Sequence, residues 1–182
     1  MIEDAKIAGP DGALVLLDFQ HEFLDAAGRM PVARSHVEPT LAGALQAIRR
    51  FREAGRPVVA IGNEFRSGDM IMNVLRRYAS VAGSKGARWD DRIPLEGATY
   101  FPKWASSAFV NPEFEAWLRR EGVQEIALTG MFASACVTAT TKDALKRGFR
   151  VRLLNPAIAC SNDRSKARAL RRLQRAGATL AA

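Results

Sequence analysis

The chain contains few of the residues that build disulfide frameworks or multi-histidine metal centres. Among its 182 residues are two cysteines and two histidines. Two cysteines do not make a disulfide framework, and so low a count is typical of a reducing compartment. The opening segment, MIEDAKIAGPDG, carries acids and lacks the apolar core of a signal peptide. No apolar run approaches the ~20 residues that cross a bilayer. We therefore expect a soluble, cytoplasmic protein.

The chain also lacks enough acidic residues to balance its lysines and arginines, and its formal charge is +8. Much of the excess lies in the C-terminal segment DRSKARALRRLQRAG. Its basic residues are Arg164, Lys166, Arg168, Arg171, Arg172 and Arg175. A charge run of this kind is usually the solvated face of a helix, which is the interpretation we favour. The alternative is a nucleic-acid surface, but the segment has none of the aromatic side chains that such surfaces often interleave.

Short apolar runs alternate with helical patterns along the chain. Strands are predicted at 13–17, 58–61, 99–102, 125–129, 149–154 and 178–180, of which 13–17 and 125–129 are of the buried type. Helices are predicted at 37–54, 71–82, 111–121, 136–147 and 164–175. The alternation predicts an α/β fold, a three-layer α/β/α domain with a mostly parallel central sheet. We expect residues 1–182 to form one domain, since no linker or repeat divides them.

Three polar residues follow predicted strands. Asp18 comes after ALVLL, Lys103 after TYFP, and Cys136 after EIALT and the turn GMFASA. Each alone has an ordinary explanation, as a turn residue, an exposed lysine or a small buried thiol. Sites in open parallel sheets, however, collect beyond the carboxyl ends of the strands. The three residues are therefore predicted to share one site.

The residue types of this site indicate nucleophilic catalysis. A thiolate is the reactive form of cysteine, and a helix start and a nearby ammonium both favour it. Asp18 is expected to accept the thiol proton and return it to a leaving amine. Backbone N–H groups of the turn before Cys136 are expected to hold the oxyanion. We therefore predict an amide hydrolase with Cys136 as nucleophile, completed by Asp18 and Lys103.

Three segments resemble the isochorismatase-like family of cysteine hydrolases, which includes nicotinamidases, carbamoylsarcosine amidases and isochorismatases. LVLLDFQHEF is similar to the family's first strand with Asp-x-Gln and a following Phe. FPKWASSAF is similar to its Lys-x-x-x-Ser-Ala-Phe element, and LTGMFASACVTATTKDA to its element with Cys-Val-x-x-Thr-x-x-Asp-Ala. The matching residues are Asp18, Gln20, Phe23, Lys103, Ser107, Ala108, Phe109, Gly130, Cys136, Val137, Thr140, Asp143 and Ala144. The resemblance covers about Ala13 to Ala178.

The resemblance implies an Asp–Lys–Cys triad and a mechanism. The carbon of an amide or carbamoyl group is attacked, ammonia leaves, and a thioester is hydrolysed. It also implies a non-proline cis peptide at Met131–Phe132, which would aim the N–H of Phe132, with that of Cys136, at the oxyanion. Oligomerisation is implied as well, as a homodimer or homotetramer.

The chain departs from the family pattern at the metal site of nicotinamidases. Those enzymes carry Asp-x-His after the second strand, with a further His nearby, and bind a divalent metal. Here Asn63 and Phe65 stand at those places, and the histidines are His21 and His36. We therefore expect no metal and no cofactor, which argues against a standard nicotinamidase.

Other departures bear on the reaction. Isochorismatases usually lack the nucleophilic cysteine, since vinyl-ether hydrolysis needs no covalent step, so Cys136 favours an amidase. Two alternatives stay open: ether hydrolysis through Asp18 and Lys103, and a non-catalytic binding protein that uses the basic C-terminal helix. Asn155-Pro156-Ala157 replaces a usual Asp-Ala, so we expect altered turn geometry there.

The substrate pocket is expected among aromatic and polar side chains near the triad. Candidates for apolar walls are Phe23, Trp104, Phe109 and Phe132, with core packing as the alternative for each. Candidates for polar contacts are Gln20, Asn63, Glu64 and Arg66; Arg66 would pair with a carboxylate. Cys160 is expected to be a structural thiol. The substrate, a small amide or carbamoyl compound, is expected to be selected by the irregular segment 63–98.

Overall fold

The computed structural model describes residues 10–68, 70–75 and 77–181. The prediction that the opening segment is not a signal peptide falls mostly on residues 1–9, outside the described residues. Arg76, within the helix predicted at 71–82, also lies outside them. In the described part of the chain, no helix has the length and apolar character needed to cross a membrane.

A sheet of six parallel strands forms the centre of the molecule. The strands are β1 (Gly12–Leu17), β2 (Val58–Asn63), β3 (Thr99–Lys103), β4 (Glu125–Gly130), β5 (Arg150–Ile158) and β6 (Thr179–Ala181). Their order in the sheet is β3-β2-β1-β4-β5-β6, so the chain winds outward in both directions from β1. The residues of β1, β2 and β4 are all buried, as expected for strands covered on both faces.

Helices cover both faces of this sheet. They are α1 (His21–Leu24), α2 (Arg34–Glu53), α3 (Met70–Leu75), α4 (Pro112–Arg120), α5 (Thr138–Lys146) and α6 (Asp163–Arg175). The apolar side chains of α1 and α2 pack on one face, against Leu14 and Leu16 of β1. Those of α4, α5 and α6 pack on the other face, against Val15 and Leu17. The alternation of β1 side chains between two cores confirms the predicted three-layer α/β fold.

Several helix boundaries differ from those predicted from the sequence. The first long helix begins at Arg34, before the predicted start at residue 37, so that His36 lies inside it. The helix predicted from Cys136 begins instead as a π turn, Ala133–Val137, which α5 continues. The helix predicted at 71–82 is short, and α3 ends at Leu75.

The expected altered turn at Asn155–Ala157 is wrong, because these residues continue β5. The pairing of β4 with β5 shifts between Leu128 and Gly130, where the partner residues jump from Leu153 to Ile158. A proline has no N–H to donate to a ladder, and such an irregularity is where a strand tolerates one. Pro156 therefore lies in a bulged strand.

The basic C-terminal segment forms α6, with one face in the core and one in solvent. Its buried residues are Ala169, Leu170 and Leu173. Its exposed arginines are Arg164, Arg168, Arg171, Arg172 and Arg175. This distribution agrees with the interpretation of the charge run as the solvated face of an amphipathic helix.

The close approach of β4 to β1 at the site edge depends on Gly130. Its φ is +109°, and a Cβ placed there would lie 1.9 Å from the carbonyl oxygen of Leu17. Gly55, which follows α2, also has a positive φ, of +63°, but a Cβ there would meet nothing within 4 Å. An added Cβ at Gly55 would therefore meet only the cost of the positive φ, whereas one at Gly130 would also collide with the backbone.

Gly130→Ala is expected to lower the free energy of unfolding by at least about 3 kcal/mol, because it adds a backbone collision to an unfavourable φ. Gly55→Ala, the matched control, is expected to cost about 1 kcal/mol. Urea denaturation followed by circular dichroism measures both. Equal costs for the two variants would mean that the contact with Leu17 does not constrain the fold.

Candidate active site

Lys103 lies at the centre of a buried polar cluster at the carboxyl ends of the strands. It is the last residue of β3 and is 0% exposed. Its Nζ donates to Asn63 Oδ1 at 2.6 Å, to the carbonyl oxygen of Ala105 at 3.2 Å and to Cys136 Sγ at 3.3 Å. Nζ also lies 3.1 Å from Asp18 Oδ2. The three N–H groups of the ammonium are therefore all used, with a carboxylate beside them as counter-ion.

Asp18 directly follows β1 and is also fully buried. Its N–H donates to the carbonyl oxygen of Ile61 at 2.8 Å, which fixes it against the end of β2. Neither of its carboxylate oxygens accepts a hydrogen bond of normal geometry from the described residues. Burial raises the pKa of Asp18, and the charge of Lys103 only partly offsets this. A carboxylate in this environment is a better proton acceptor than an exposed one.

Cys136 lies in the π turn and is 8% exposed. Burial, and then the negative charge of Asp18, raise the pKa of its thiol to about 11, while Lys103 acts in the opposite direction. Lys103 thus favours the thiolate, as expected, but burial and the charge of Asp18 outweigh it. A pKa this high favours the neutral thiol at neutral pH, so the reactive thiolate forms only when a base accepts the proton.

The turn between β4 and Cys136 is anchored on both sides of a cis peptide. The cis bond joins Met131 to Phe132. The Met131 N–H donates to Leu17 O at 3.2 Å, and the Ala133 N–H donates to Ala159 O at 2.8 Å. Between them, the N–H of Phe132 has no acceptor among the residues that the structure describes. This N–H is available to a ligand oxygen.

Three of the polar pocket candidates have hydrogen bonds within the protein. The Gln20 side chain donates to Asn63 O at 2.8 Å and to Ala87 O at 2.5 Å, and it accepts from the Asn63 N–H at 2.8 Å. Asn63 accepts from Lys103, and its Nδ2 lies 3.8 Å from Cys136 Sγ as a donor. Glu64 accepts from the Tyr100 hydroxyl at 2.8 Å. Gln20 and Asn63 thus belong to the framework of the site.

The remaining candidates divide between the core and the rim. Phe109 packs in the core, with its ring centroid 5.0 Å from that of Phe114. Phe23 and Phe132 make an edge-to-face pair at 5.6 Å, next to the cis peptide. Arg66 is exposed, and its guanidinium lies 5.5 Å from the centroid of the half-buried Trp104 ring.

The residues at the places of the nicotinamidase metal ligands do not fit a metal ion. Phe65 has no donor atom, and Asn63 Oδ1 already accepts from an ammonium. Asn63 and Phe65 therefore cannot form the site that the resemblance describes.

Another group of ligand-type atoms, in His21, Asp25 and Asp90, lies within 4.8 Å of one another. Asp90 there accepts two hydrogen bonds from the Arg92 guanidinium, at 2.8 and 2.6 Å, which compensates its charge. A cation would have to bind beside that guanidinium, so this group does not fit a metal either.

Two buried residues support the site, and the sequence had suggested a structural role for neither of them. The buried Glu22 carboxylate accepts the N–H of Arg29 at 2.6 Å and of Ser80 at 3.1 Å, and so ties two loops together. Thr140 Oγ1 accepts the Ala108 N–H at 3.0 Å, which joins the lysine and cysteine segments. Thr140 lies in a family motif and was recognisable, whereas no local pattern identifies Glu22.

The comparisons with known proteins agree on one family. A family model, the isochorismatase domain, matches residues 12–182. The chain is 24% identical over 181 residues to ureidoacrylate amidohydrolase RutB of Stutzerimonas stutzeri, covering 86% of this chain and 71% of the relative.

Solved structures show the same similarity. N-carbamoylsarcosine amidase of Thermoplasma acidophilum is 30% identical, with a TM-score of 0.79 over 93% of this chain and 95% of its own. Pyrazinamidase of Pyrococcus horikoshii, in complex with zinc, is 28% identical, with a TM-score of 0.84 over 94% and 98%. These findings confirm the family resemblance and the fold predicted from the sequence.

The raised pKa of Cys136 predicts a distinctive pH dependence of its alkylation. The rate with iodoacetamide is expected to increase steadily from pH 7 to pH 10, because the thiolate fraction keeps growing below a pKa of about 11. Mass spectrometry of the Cys136 peptide measures the rate. Free cysteine is the reference, and its rate levels off near its ordinary pKa of about 8.5. A plateau below pH 8 for Cys136 would contradict the neutral resting thiol.

Proposed function

Since this chain belongs to the isochorismatase family and is a hydrolase of that family, we propose that it cleaves a C–N bond of a small amide, carbamoyl or ureido compound through a Cys136 thioester. The observation that carries the proposal is the single cluster in which Lys103 Nζ lies 3.3 Å from Cys136 Sγ and 3.1 Å from Asp18 Oδ2. A base, a cation and a nucleophile in contact are the requirements of covalent amide hydrolysis.

In the first step, Asp18 takes the proton of the Cys136 thiol while sulfur attacks the carbonyl carbon. The raised pKa of Asp18 and its interaction with the Cys136 thiol support its role as base. Lys103 remains a cation beside the sulfur and stabilises the negative charge as it forms. The new oxyanion is held by the N–H groups of Phe132 and Cys136.

In the second step, the C–N bond breaks and Asp18 returns its proton to the leaving nitrogen, which departs as ammonia. A water molecule then attacks the thioester carbon and gives a proton to Asp18. The C–S bond breaks, sulfur recovers that proton, and the acid is released. Asp18 and Cys136 end the cycle in their starting protonation states.

The substrate is small, since Cys136 is 8% exposed and its partners Asp18 and Lys103 are fully buried. A ureido or carbamoyl acid is the favoured substrate class, because two of the similar enzymes are named for such compounds, ureidoacrylate and N-carbamoylsarcosine. Phe23, Phe132 and Trp104 are the proposed apolar walls. Arg66, at the rim over Trp104, is the proposed partner of a substrate carboxylate.

The alternatives from the sequence have less support. Ether hydrolysis through Asp18 and Lys103 gives no role to a thiol that contacts the ammonium. The non-catalytic alternative is set aside because the chain is a hydrolase of its family. A cytoplasmic location, a single domain over residues 1–182 and a homodimeric or homotetrameric assembly stay predictions.

Cys136→Ala is expected to abolish ammonia release, with at least about a thousandfold loss, because no thioester can form. A coupled ammonia assay across a set of ureido acids, carbamoyl acids and simple amides identifies the substrate and measures the loss. Cys160→Ala is the matched control and should retain activity, since it removes the other thiol. Retained turnover by Cys136→Ala would instead support ether-type chemistry.

The raised pKa of Asp18 also predicts the acid limb of the pH profile. Asp18 has to be deprotonated to act as base, so kcat/KM should fall as the pH decreases through a pKa above the ordinary aspartate value of about 3.9. The profile between pH 4 and pH 8 measures this limb. Full activity maintained down to pH 4 would exclude Asp18 as the base.

A further inference from the structure

We propose that Asn63 is a positioning residue that sets the reactivity of the Cys136 thiol, and that Gln20 holds Asn63 in place for this role. The inference rests on the proposed function for its catalytic meaning. It reassigns two residues that the sequence suggested as substrate contacts. Its test follows the thiol itself and requires no substrate.

The side-chain amide of Asn63 bridges the Lys103 ammonium and the Cys136 thiol. Its Oδ1 accepts from Lys103 Nζ at 2.6 Å, and its Nδ2 donates toward Cys136 Sγ at 3.8 Å. Asn63 is 2% exposed, so water does not replace either contact. Because an amide carries its acceptor and its donor on two separate atoms, one short side chain matches both neighbours.

The neutrality of Asn63 matters as much as its shape. The buried cluster already contains one carboxylate and one ammonium, Asp18 and Lys103, which compensate each other. A carboxylate at position 63 would place a second negative charge on Lys103 and beside the sulfur. It would disfavour the thiolate, whereas the N–H of the amide favours it, in agreement with the lowering effect of Asn63 on the pKa of Cys136.

Gln20 holds the backbone of Asn63 from both sides. Its Nε2 donates to the carbonyl oxygen of Asn63, and its Oε1 accepts from the N–H of Asn63, each at 2.8 Å. Gln20 is 0% exposed and follows β1, whereas Asn63 ends β2. This paired hydrogen bond continues the pairing of β1 with β2 beyond the last paired residues, Leu17 and Ile61. The side chain of Asn63 is thereby directed from a fixed point.

The experiment measures alkylation of Cys136 by iodoacetamide at pH 8 in wild type, Asn63→Leu and Asn63→Asp, all carrying Cys160→Ser. Asn63→Leu is expected to slow alkylation about tenfold, as a loss of one favourable contact to the thiolate. Asn63→Asp is expected to be slower again, by about a further tenfold, because it adds a charge.

The order of the two variants separates an electrostatic role from a structural one. Aspartate has nearly the same shape as asparagine, so a merely structural role predicts that Asn63→Asp stays closest to wild type. That order, or unchanged rates in both variants, would overturn the proposal. Thermal unfolding of each variant identifies any loss of fold. If no amide substrate were found while the predicted order held, the proposed function would fail and this inference would stand.

The Gln20 step is tested by a double-mutant cycle on the same rate. Gln20→Leu alone is expected to slow alkylation, and to have little further effect in the Asn63→Leu background, because it acts through Asn63. If the double variant instead slowed alkylation by the product of the two single-variant factors, Gln20 would act independently of Asn63, which would overturn this step.

Discussion

The structure of the site depends on one constraint, the burial of the Lys103 ammonium with no access to water. A buried charge without a partner is severely destabilising, and removing one member of a buried ion pair costs about 3–5 kcal/mol. Asp18 supplies the opposite charge, and the ammonium donates hydrogen bonds to Asn63, Ala105 and Cys136. The same contacts that make this lysine tolerable therefore place a carboxylate and a thiol on either side of it.

The sheet brings these partners together because parallel strands end at one edge. Asp18 follows β1, Asn63 and Lys103 are paired across the ends of β2 and β3, and Cys136 follows β4 through one turn. Gly130 allows that turn to approach the end of β1, where Met131 donates to Leu17. No single segment contains the site, and its geometry follows from the order of the strands.

The sequence was sufficient to predict the fold class and the three central residues. Unbroken apolar runs such as Ala13–Leu17 identify buried strands. Asp18 and Lys103 directly follow predicted strands, and Cys136 follows one after a turn. The roles of Gln20 and Asn63 were not predictable, since they rest on hydrogen bonds between residues 43 positions apart. Pro156 within β5 was also missed, because a strand irregularity depends on the partner strand and not on local preference.

The net effect of the surroundings on the pKa of the thiol was not predictable for a related reason. A helix start and a lysine are visible in sequence, whereas the burial that outweighs them is a property of the packed molecule. This difference has a chemical consequence. Oxidation and non-specific alkylation require the thiolate, so a raised pKa and burial are expected to slow both at Cys136 while the site is empty. Under the proposed mechanism, reactivity arises when a carbonyl group is present to receive the sulfur and Asp18 can take the proton. The high pKa is therefore compatible with a nucleophile, provided that its base is as close and as poorly solvated as Asp18 is here.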